Sequence, residues 1–436
     1  MKSLRSIFKN SFYLALGQAI SGVFYFLAVM YLARSVGAQK YGVFSFAESV
    51  FMFFTLIVVW GSDFVGARQI VYADKEQRAR IIAAIWPMRA VLSIIALIVL
   101  TVFALVIRNP VETKLMVIVC GLGLFSLVFL LDWFFWGLEK FTVYVQYSIL
   151  RDLVFLLGVI VLVKLGAGIL WFGVVFILSR FLPSLHLLYF YLKDNTFSLE
   201  HVSLSNSKEM LNNCNFLFYI SIVGWFTHFF DITLISLVHG ETMTGLYTAA
   251  YKPVLLVVLS VTVYMKAIYP ILAKTYRNDI REFEKIIIFT LIGSIVIFLP
   301  VAVVCSRFGA QLIGFIYSDD YSESIDTFKI LIYILMMTAV NSTLLRSLIA
   351  TGNDKDSFIS SLAVGISNVV LNLILVPTMG IIGAAWSKLL AECIAFFWYY
   401  YKLSKVVKMP YLYILYMALL GAFIYLATLV IMNLIA

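Results

Sequence analysis

Fourteen ionisable side chains lie within, or near the ends of, long apolar stretches of this 436-residue chain: Glu48, Asp63, Arg89, Asp132, Arg151, Asp152, Arg180, Asp231, Lys252, Lys266, Lys329, Arg346, Lys388 and Glu392. A charge at the centre of a membrane-spanning helix costs about 2.5 to 3.5 kcal/mol even on insertion scales, so such groups are expected to face the interior of a bundle or a wet cavity. Their types suit the handling of charge. Guanidinium and ammonium groups make strong charge-assisted hydrogen bonds to phosphate, and carboxylates take up protons or cations.

Counting from the outer ends of their spans, Glu48, Asp231 and Lys252 each sit about one third of the way in. Arg89, Arg180 and Lys266 sit deeper, or toward the inner side, and form a candidate cationic path for a phosphate-bearing head group. For each of the six, structural pairing stands beside a substrate or coupling role. Arg151, Asp152, Asp132, Lys329 and Arg346 lie near enough to span ends to snorkel or anchor. Lys388 and Glu392 are one helical turn apart and can neutralise each other.

Patterns for bond-breaking chemistry are missing from the sequence. The four histidines (His186, His201, His228, His239) form neither HxxxH nor HExxH, and no GxxxxGK[ST] stands ready for phosphate. The cysteines (Cys120, Cys214, Cys305, Cys393) are far apart, with no CxxC, and read as small buried hydrophobes. The longest connections, residues 193–210 and 307–325, carry no acid, base or metal constellation, and the second contains an amphipathic stub, FGAQLIGFIY.

The elements that must hold these charges are transmembrane helices. The chain is 63% apolar and 13% charged, against about 25% charged for a soluble domain. Apolar runs long enough to cross about 30 Å of hydrocarbon read as spans at 11–33, 42–65, 81–107, 114–136, 147–163, 168–192, 211–238, 245–271, 286–306, 326–350, 357–377, 381–402 and 411–435. The first is too long for a signal-peptide core and lacks a cleavage site, so it is expected to be retained. The net charge of +9 is scattered between spans, which argues against nucleic acid as a partner. If the N-terminus is cytoplasmic, eighteen Lys and Arg fall on inner segments and six on outer ones, a bias that sets that orientation.

Sliding the chain on itself by 203 residues lays Gly37 on Gly240, Gly42 on Gly245, Phe44 on Tyr247, Ser45 on Thr248, Ala47 on Ala250 and Arg78 on Arg281. We read this as a duplication. An even number of spans per half makes the repeat parallel, with a pseudo-two-fold axis along the membrane normal, as in transporters that rock two bundles. The fold class is therefore all-α and polytopic, with two six-helix bundles. The expected lobes are residues 1–195 and 211–405, joined by a cytoplasmic linker at 196–210 and followed by an additional span within 406–436.

Four stretches carry a family resemblance: SVGAQKYGVFSFAESVFMFFTLIVVWGSDFVGARQI, FFWGLEKF, GLYTAAYKPVLLVVLSVTVYMKAIYPILAKTY, and LRSLIATGNDKDSFISSLAVGISNVVLNLILVPTMGIIGAAWSKLLAE. From about residue 4 to 405 the chain resembles the polysaccharide biosynthesis and export family, the O-antigen flippase (Wzx-type) branch of the multidrug, oligosaccharidyl-lipid and polysaccharide exporter superfamily. The resemblance implies a V-shaped exporter fold lined chiefly by spans one, two, seven and eight. It implies a multi-pass protein of the bacterial inner membrane, with its N-terminus cytoplasmic. The expected activity is transfer of an undecaprenyl-diphosphate-linked oligosaccharide, such as an O-antigen unit for lipopolysaccharide, from the cytoplasmic to the periplasmic leaflet by alternating access. Protons or sodium ions are the expected drivers, and a polysaccharide polymerase and a chain-length regulator the expected partners; no catalysis and no cofactor are expected.

No invariant motif transfers residue by residue, so the expected site rests on buried charge. Arg89, Arg180, Lys252 and Lys266 are assigned to the head group, and Glu48 or Asp231 to ion coupling. An exporter of small cationic compounds, a peptidoglycan-precursor flippase and a glycan-polymerising membrane enzyme are the competing classes. The basic lean of the buried charge weighs against the first, and the lack of large outer loops against the last.

Overall fold

A computed structural model describes residues 4–194 and 204–407 and, beyond these, positions 419, 421, 422, 424–426 and 428. The linker expected at 196–210 thus lies partly, and the thirteenth span almost wholly, outside the described residues. The helices run in the order α1 (Leu4–Val59), α2 (Ser62–Ile70), α3 (Lys75–Val106), α4 (Val111–Leu122), α5 (Asp132–Gly137), α6 (Phe141–Lys164), α7 (Ile169–Asp194), α8 (Leu204–His228), α9 (Phe230–Asn278), α10 (Ile280–Arg307), α11 (Gly309–Ile316), α12 (Ser324–Leu331), α13 (Ile334–Ala350) and α14 (Asp354–Ser404). The described residues contain no strand, and the chain is a multi-pass membrane protein.

Helix α1 has 56 residues, which if straight would measure about 84 Å, far more than a bilayer. It is folded back at Gly37, whose φ of 78° and ψ of 169° belong to a backbone region essentially reserved for glycine. The Tyr25 hydroxyl reaches the Glu48 carboxylate across that turn. Helix α14 folds back at Gly380 (φ 60°, ψ −136°), bringing Lys402 Nζ to 2.7 Å from Asp356 Oδ1 and Trp398 Nε1 to 3.0 Å from Ser360 Oγ. Helix α9 breaks at Gly240 with φ 82° and ψ −174°. Gly37 and Gly240, superimposed by the 203-residue shift, therefore share one unusual conformation.

Eight helices among the described residues are long and apolar enough to cross a membrane, nine when α8 and the start of α9 are taken as one span bent by 53°. Two of the nine, Tyr13–Val59 and Asp356–Ser404, are folded double spans. The fourth expected span is broken rather than continuous: α4 gives way to a 3-10 turn at Gly123–Leu127 and resumes as α5. With it, the twelve spans expected between residues 11 and 402 are accounted for.

Helix α3 shows how sequence chooses faces. Asp74 caps it, accepting from the Gln77 amide at 2.8 Å while Gln77 accepts from the Asp74 amide at 3.0 Å, a reciprocal capping box. Arg89, Ser93, Ala96, Leu100 and Ala104 are buried at steps of three and four, whereas Val91, Ile94, Ile95, Ile98, Val99 and Val102 are exposed. The larger apolar side chains thus face lipid and the small or polar ones pack inward. By contrast, residues 41–50 and 244–254 are buried without a break, as in helices enclosed on all sides.

Contacts divide the chain into two compact units, Tyr13–Gly245, and Leu246–Ala436 grouped with Met1–Phe12. In the first, Val65, Ile85, Trp133, Phe134, Tyr191 and Cys214 share a core drawn from α2, α3, α5, α7 and α8. In the second, Leu272, Phe283, Ile287, Leu291, Leu344 and Tyr400 join α9, α10, α13 and α14.

Inside the first unit the two repeat-related turns meet. A Cβ on Gly42 would overlap the Glu241 carbonyl and press on the Gly245 nitrogen; a Cβ on Gly245 would overlap the Ala38 carbonyl and press on the Gly42 nitrogen. The 203-residue shift carries Ala38 to Glu241 and Gly42 to Gly245. The contact is its own image, as a local two-fold requires.

Candidate functional site

Within Tyr13–Gly245 one polar cluster is set among aromatic rings. Glu48, 5% exposed, accepts from the Tyr25 hydroxyl. Asp152, from α6, lies against the Ser21 hydroxyl, which is also 3.0 Å from the Ser148 carbonyl. The Asp152 carboxylate receives Nε and Nη2 of Arg151, each at 2.8 Å. Arg180 enters from α7 with its guanidinium 3.3 Å from the centroid of Phe176 and 5.3 Å from that of Phe51, a cation held over ring faces. Its Nη1 donates to the Phe176 carbonyl at 3.3 Å, and Arg151 and Glu48 are among the groups near enough to act on its charge. Phe155 stacks on Tyr25 and Phe44 at 5.9 and 5.8 Å.

The structure thus brings Glu48 and Arg180 together. It also moves Arg151 and Asp152 away from a span end, because α6 begins at Phe141, six residues before the expected start. Asp152 is consequently mid-helix and buried. Tyr25 and Ser21, which supply the partners, carry no sequence signal until the hairpin at Gly37 is known.

Arg89 belongs to a different place. It is fully buried, and each of its five N–H donors has a partner inside the protein. Nε and Nη2 donate to Ser62 Oγ at 3.0 and 2.7 Å, Nη2 also pairs with Asp63, and Nη1 donates to the Leu127 and Leu130 carbonyls at 3.1 and 3.2 Å. Those carbonyls belong to the break in the fourth span, where helical hydrogen bonds are interrupted. Non-helical backbone at membrane depth must find partners within the protein, and Arg89 provides them. Its donors are spent on the fold.

Asp231 is fully buried as the second residue of α9, its Oδ1 accepting from the Ile232 amide at 3.0 Å. A helix N-terminus favours negative charge there. Sequence reading passed over Glu241, just past Gly240. Only 8% exposed, it accepts from Asn109 Nδ2 at 2.9 Å and Thr113 Oγ1 at 2.8 Å. Asn109 also reaches Ser236 Oγ at 3.2 Å, so the α3–α4 connection is tied to the turn at Gly240.

In the unit beginning at Leu246, Lys252 is 9% exposed and Lys388 is 5% exposed, with Lys388 Nζ 4.3 Å from the centroid of Tyr251. Glu392, expected to neutralise Lys388, is held from α13: Asn341 Nδ2 donates to Oε2 at 2.5 Å and Thr338 Oγ1 to Oε1 at 3.1 Å. Lys266 lies on α9, and its side chain is outside the described residues. Among the described residues no three His, Cys, Asp or Glu side chains gather as a metal site would require. What these groups can do is hold, pair and exchange charge in a low-dielectric interior.

Comparison with known proteins extends this. A family described as "Polysaccharide biosynthesis protein" matches residues 7–276, more than half of the chain. The chain is 22% identical over 217 residues to a probable low-salt glycan biosynthesis flippase of Haloferax volcanii, a match covering 50% of this chain and 46% of that protein, so it spans about half of that relative's length. Among solved structures, the lipid II flippase MurJ in an inward closed conformation superimposes with a TM-score of 0.74 at 15% identity, covering 97% of this chain and 99% of that one. An inward-facing multidrug resistance MATE family transporter of the MOP superfamily gives 0.70 at 17% identity, covering 88% and 95%. At these identities the likeness establishes that the chain shares the fold of these two proteins.

Proposed function

This chain belongs to the polysaccharide biosynthesis protein family, and from that premise we propose that it is a flippase carrying a lipid-linked oligosaccharide from the cytoplasmic to the opposite leaflet. The observation that carries the reading is the family match over residues 7–276, reinforced by the glycan flippase relative and by a fold shared with a lipid II flippase. The finer assignment is an undecaprenyl-diphosphate-linked repeat unit such as O-antigen, moved in the bacterial inner membrane with the N-terminus cytoplasmic. A polymerase and a chain-length regulator would act on the product.

The physical need is clear. Each sugar hydroxyl left unpaired in hydrocarbon costs several kcal/mol, roughly 4 to 8 on the alkane scale, so spontaneous flipping is slow. Arg180, Lys252 and Lys266 are our candidates for engaging the diphosphate. Arg89, with its donors taken up by Ser62, Asp63 and the broken span, acts on this site only through the fold. Glu48 is our first candidate for proton or sodium coupling and Asp231 the second, because Glu48 is held by a neutral hydroxyl beside the Arg180 charge.

The test is deletion of the gene in a bacterium that makes surface polysaccharide, with lipid-linked units assayed in each leaflet. Accumulation of complete units on the cytoplasmic side, relieved by the restored gene, is the expected result. A peptidoglycan precursor is the second reading, favoured by the likeness to MurJ, and arrest of cell-wall synthesis with normal surface polysaccharide would establish it. Altered sensitivity to toxic cations alone would instead place the chain with drug exporters.

A further inference from the structure

A cavity of about 570 Å³ opens where the end of α9 meets the α13–α14 turn, lined among others by Tyr269, Lys274, Arg277 and Asn278 on one side and Thr351 and Gly352 on the other. It lies wholly within the unit beginning at Leu246. Its volume is within the range of small-molecule sites, and its composition is unlike the apolar packing around it. Lys274 and Arg277 have no ion-pair partner among the described residues. The nearest carboxylate in sequence, Asp279, caps α10, its Oδ1 accepting from the Arg281 and Glu282 amides at 2.9 and 3.2 Å. Gly352 turns the chain with a φ of 79°, and the turn is closed by its amide donating to the Ile349 carbonyl at 3.0 Å.

We propose that this cavity binds a phosphate group carried on a lipid, through Lys274 and Arg277, with the hydroxyl of Tyr269 and the side-chain amide of Asn278 completing the shell. Its place in the fold favours that ligand. It sits at the end of a helix long and apolar enough to cross a membrane, Ser324–Ala350, where lipid phosphates would meet it, on the side we read from the loop cations as cytoplasmic. Basic pockets between helices on that side suit anionic head groups, and tyrosine is at home in the same layer. Guanidinium and ammonium together supply charge-assisted donors to a phosphate while the lipid chains remain in hydrocarbon. An anionic phospholipid and a prenyl diphosphate offer the same chemistry.

Hydrogen exchange on the full chain in nanodiscs of zwitterionic lipid tests this without requiring transport, so it stands or falls apart from the flippase reading. One arm adds phosphatidylglycerol to the disc; the other adds a soluble short-chain prenyl diphosphate. At a ligand concentration about three times its Kd, exchange from local opening of peptides covering 269–278 and 349–352 should slow about fourfold. The Lys274→Gln, Arg277→Gln double variant should lose that protection while peptides elsewhere exchange as before. Protection by phosphatidylglycerol alone supports a membrane-lipid site, and protection by the prenyl diphosphate alone supports a substrate site. Protection by neither, or equal protection in the double variant, overturns the proposal.

Discussion

The Tyr25 hydroxyl donates to the Glu48 carboxylate from a position twelve residues before Gly37 to one eleven residues after it. The pairing exists only because glycine lets the helix fold back there, so a local backbone conformation positions the candidate coupling group. If Glu48 couples by changing its charge, Glu48→Gln should keep an acceptor for Tyr25, remain folded and lose gradient-dependent transport. Glu48→Ala should also lose stability, by about 1 to 3 kcal/mol, the cost of a buried donor deprived of its acceptor. Thermal unfolding and transport with and without an imposed gradient separate the two variants.

Arg89 gives an opposite expectation. Its removal leaves Asp63 without its partner and the Leu130 carbonyl of the broken span unsatisfied, so Arg89→Ala should cost about 3 to 5 kcal/mol. Little monodisperse protein should survive in detergent. A folded but inactive Arg89→Ala protein would return Arg89 to the head-group site.

Gly42 and Gly245 are expected to resist even one methyl group. Gly42→Ala must push two backbones apart, with a cost of about 1 to 3 kcal/mol or more. Gly224→Ala is the control: no atom lies within 4 Å of the added carbon, and helix propensity favours alanine by roughly 0.8 to 1 kcal/mol. Melting temperatures in one detergent should move in opposite directions.

Glu241 accepts two neutral hydrogen bonds in a buried turn. Glu241→Gln retains an acceptor oxygen and should be tolerated, whereas Glu241→Ala strands the Thr113 hydroxyl and one of the two Asn109 N–H groups at about 1 to 3 kcal/mol. Comparing the yields of folded protein checks the difference.

Sequence made the spans legible because the bilayer imposes one strong constraint, long apolar runs, and the 203-residue repeat was visible in small residues whose backbone role proved real at Gly37 and Gly240. The broken fourth span was not legible. Its residues GLGLFSLVFLL are as apolar as a continuous helix would need, and what breaks the helix is satisfied from α3 by Arg89, a contact 38 to 41 positions away. The same distance effect hides from the sequence which of the two roles weighed for Arg89, structural pairing or head-group binding, its partners favour. The spacing starts the fifth span six residues later than α6 does, which puts Asp152 near an end, and it shows Lys388 one turn from Glu392 while giving no sign of the hydrogen bonds to Glu392 from Thr338 and Asn341 on α13. Charge types were readable; which charges were already spent required the packing.

The most direct measurement places the purified chain in vesicles with an undecaprenyl-diphosphate-linked oligosaccharide and adds a membrane-impermeant glycosidase. If the chain is a flippase, the pool protected in the inner leaflet becomes cleavable when the chain is present, and Arg180→Ala and Lys252→Ala proteins of normal stability leave it protected. A protected pool unchanged by folded, correctly inserted protein would contradict the account.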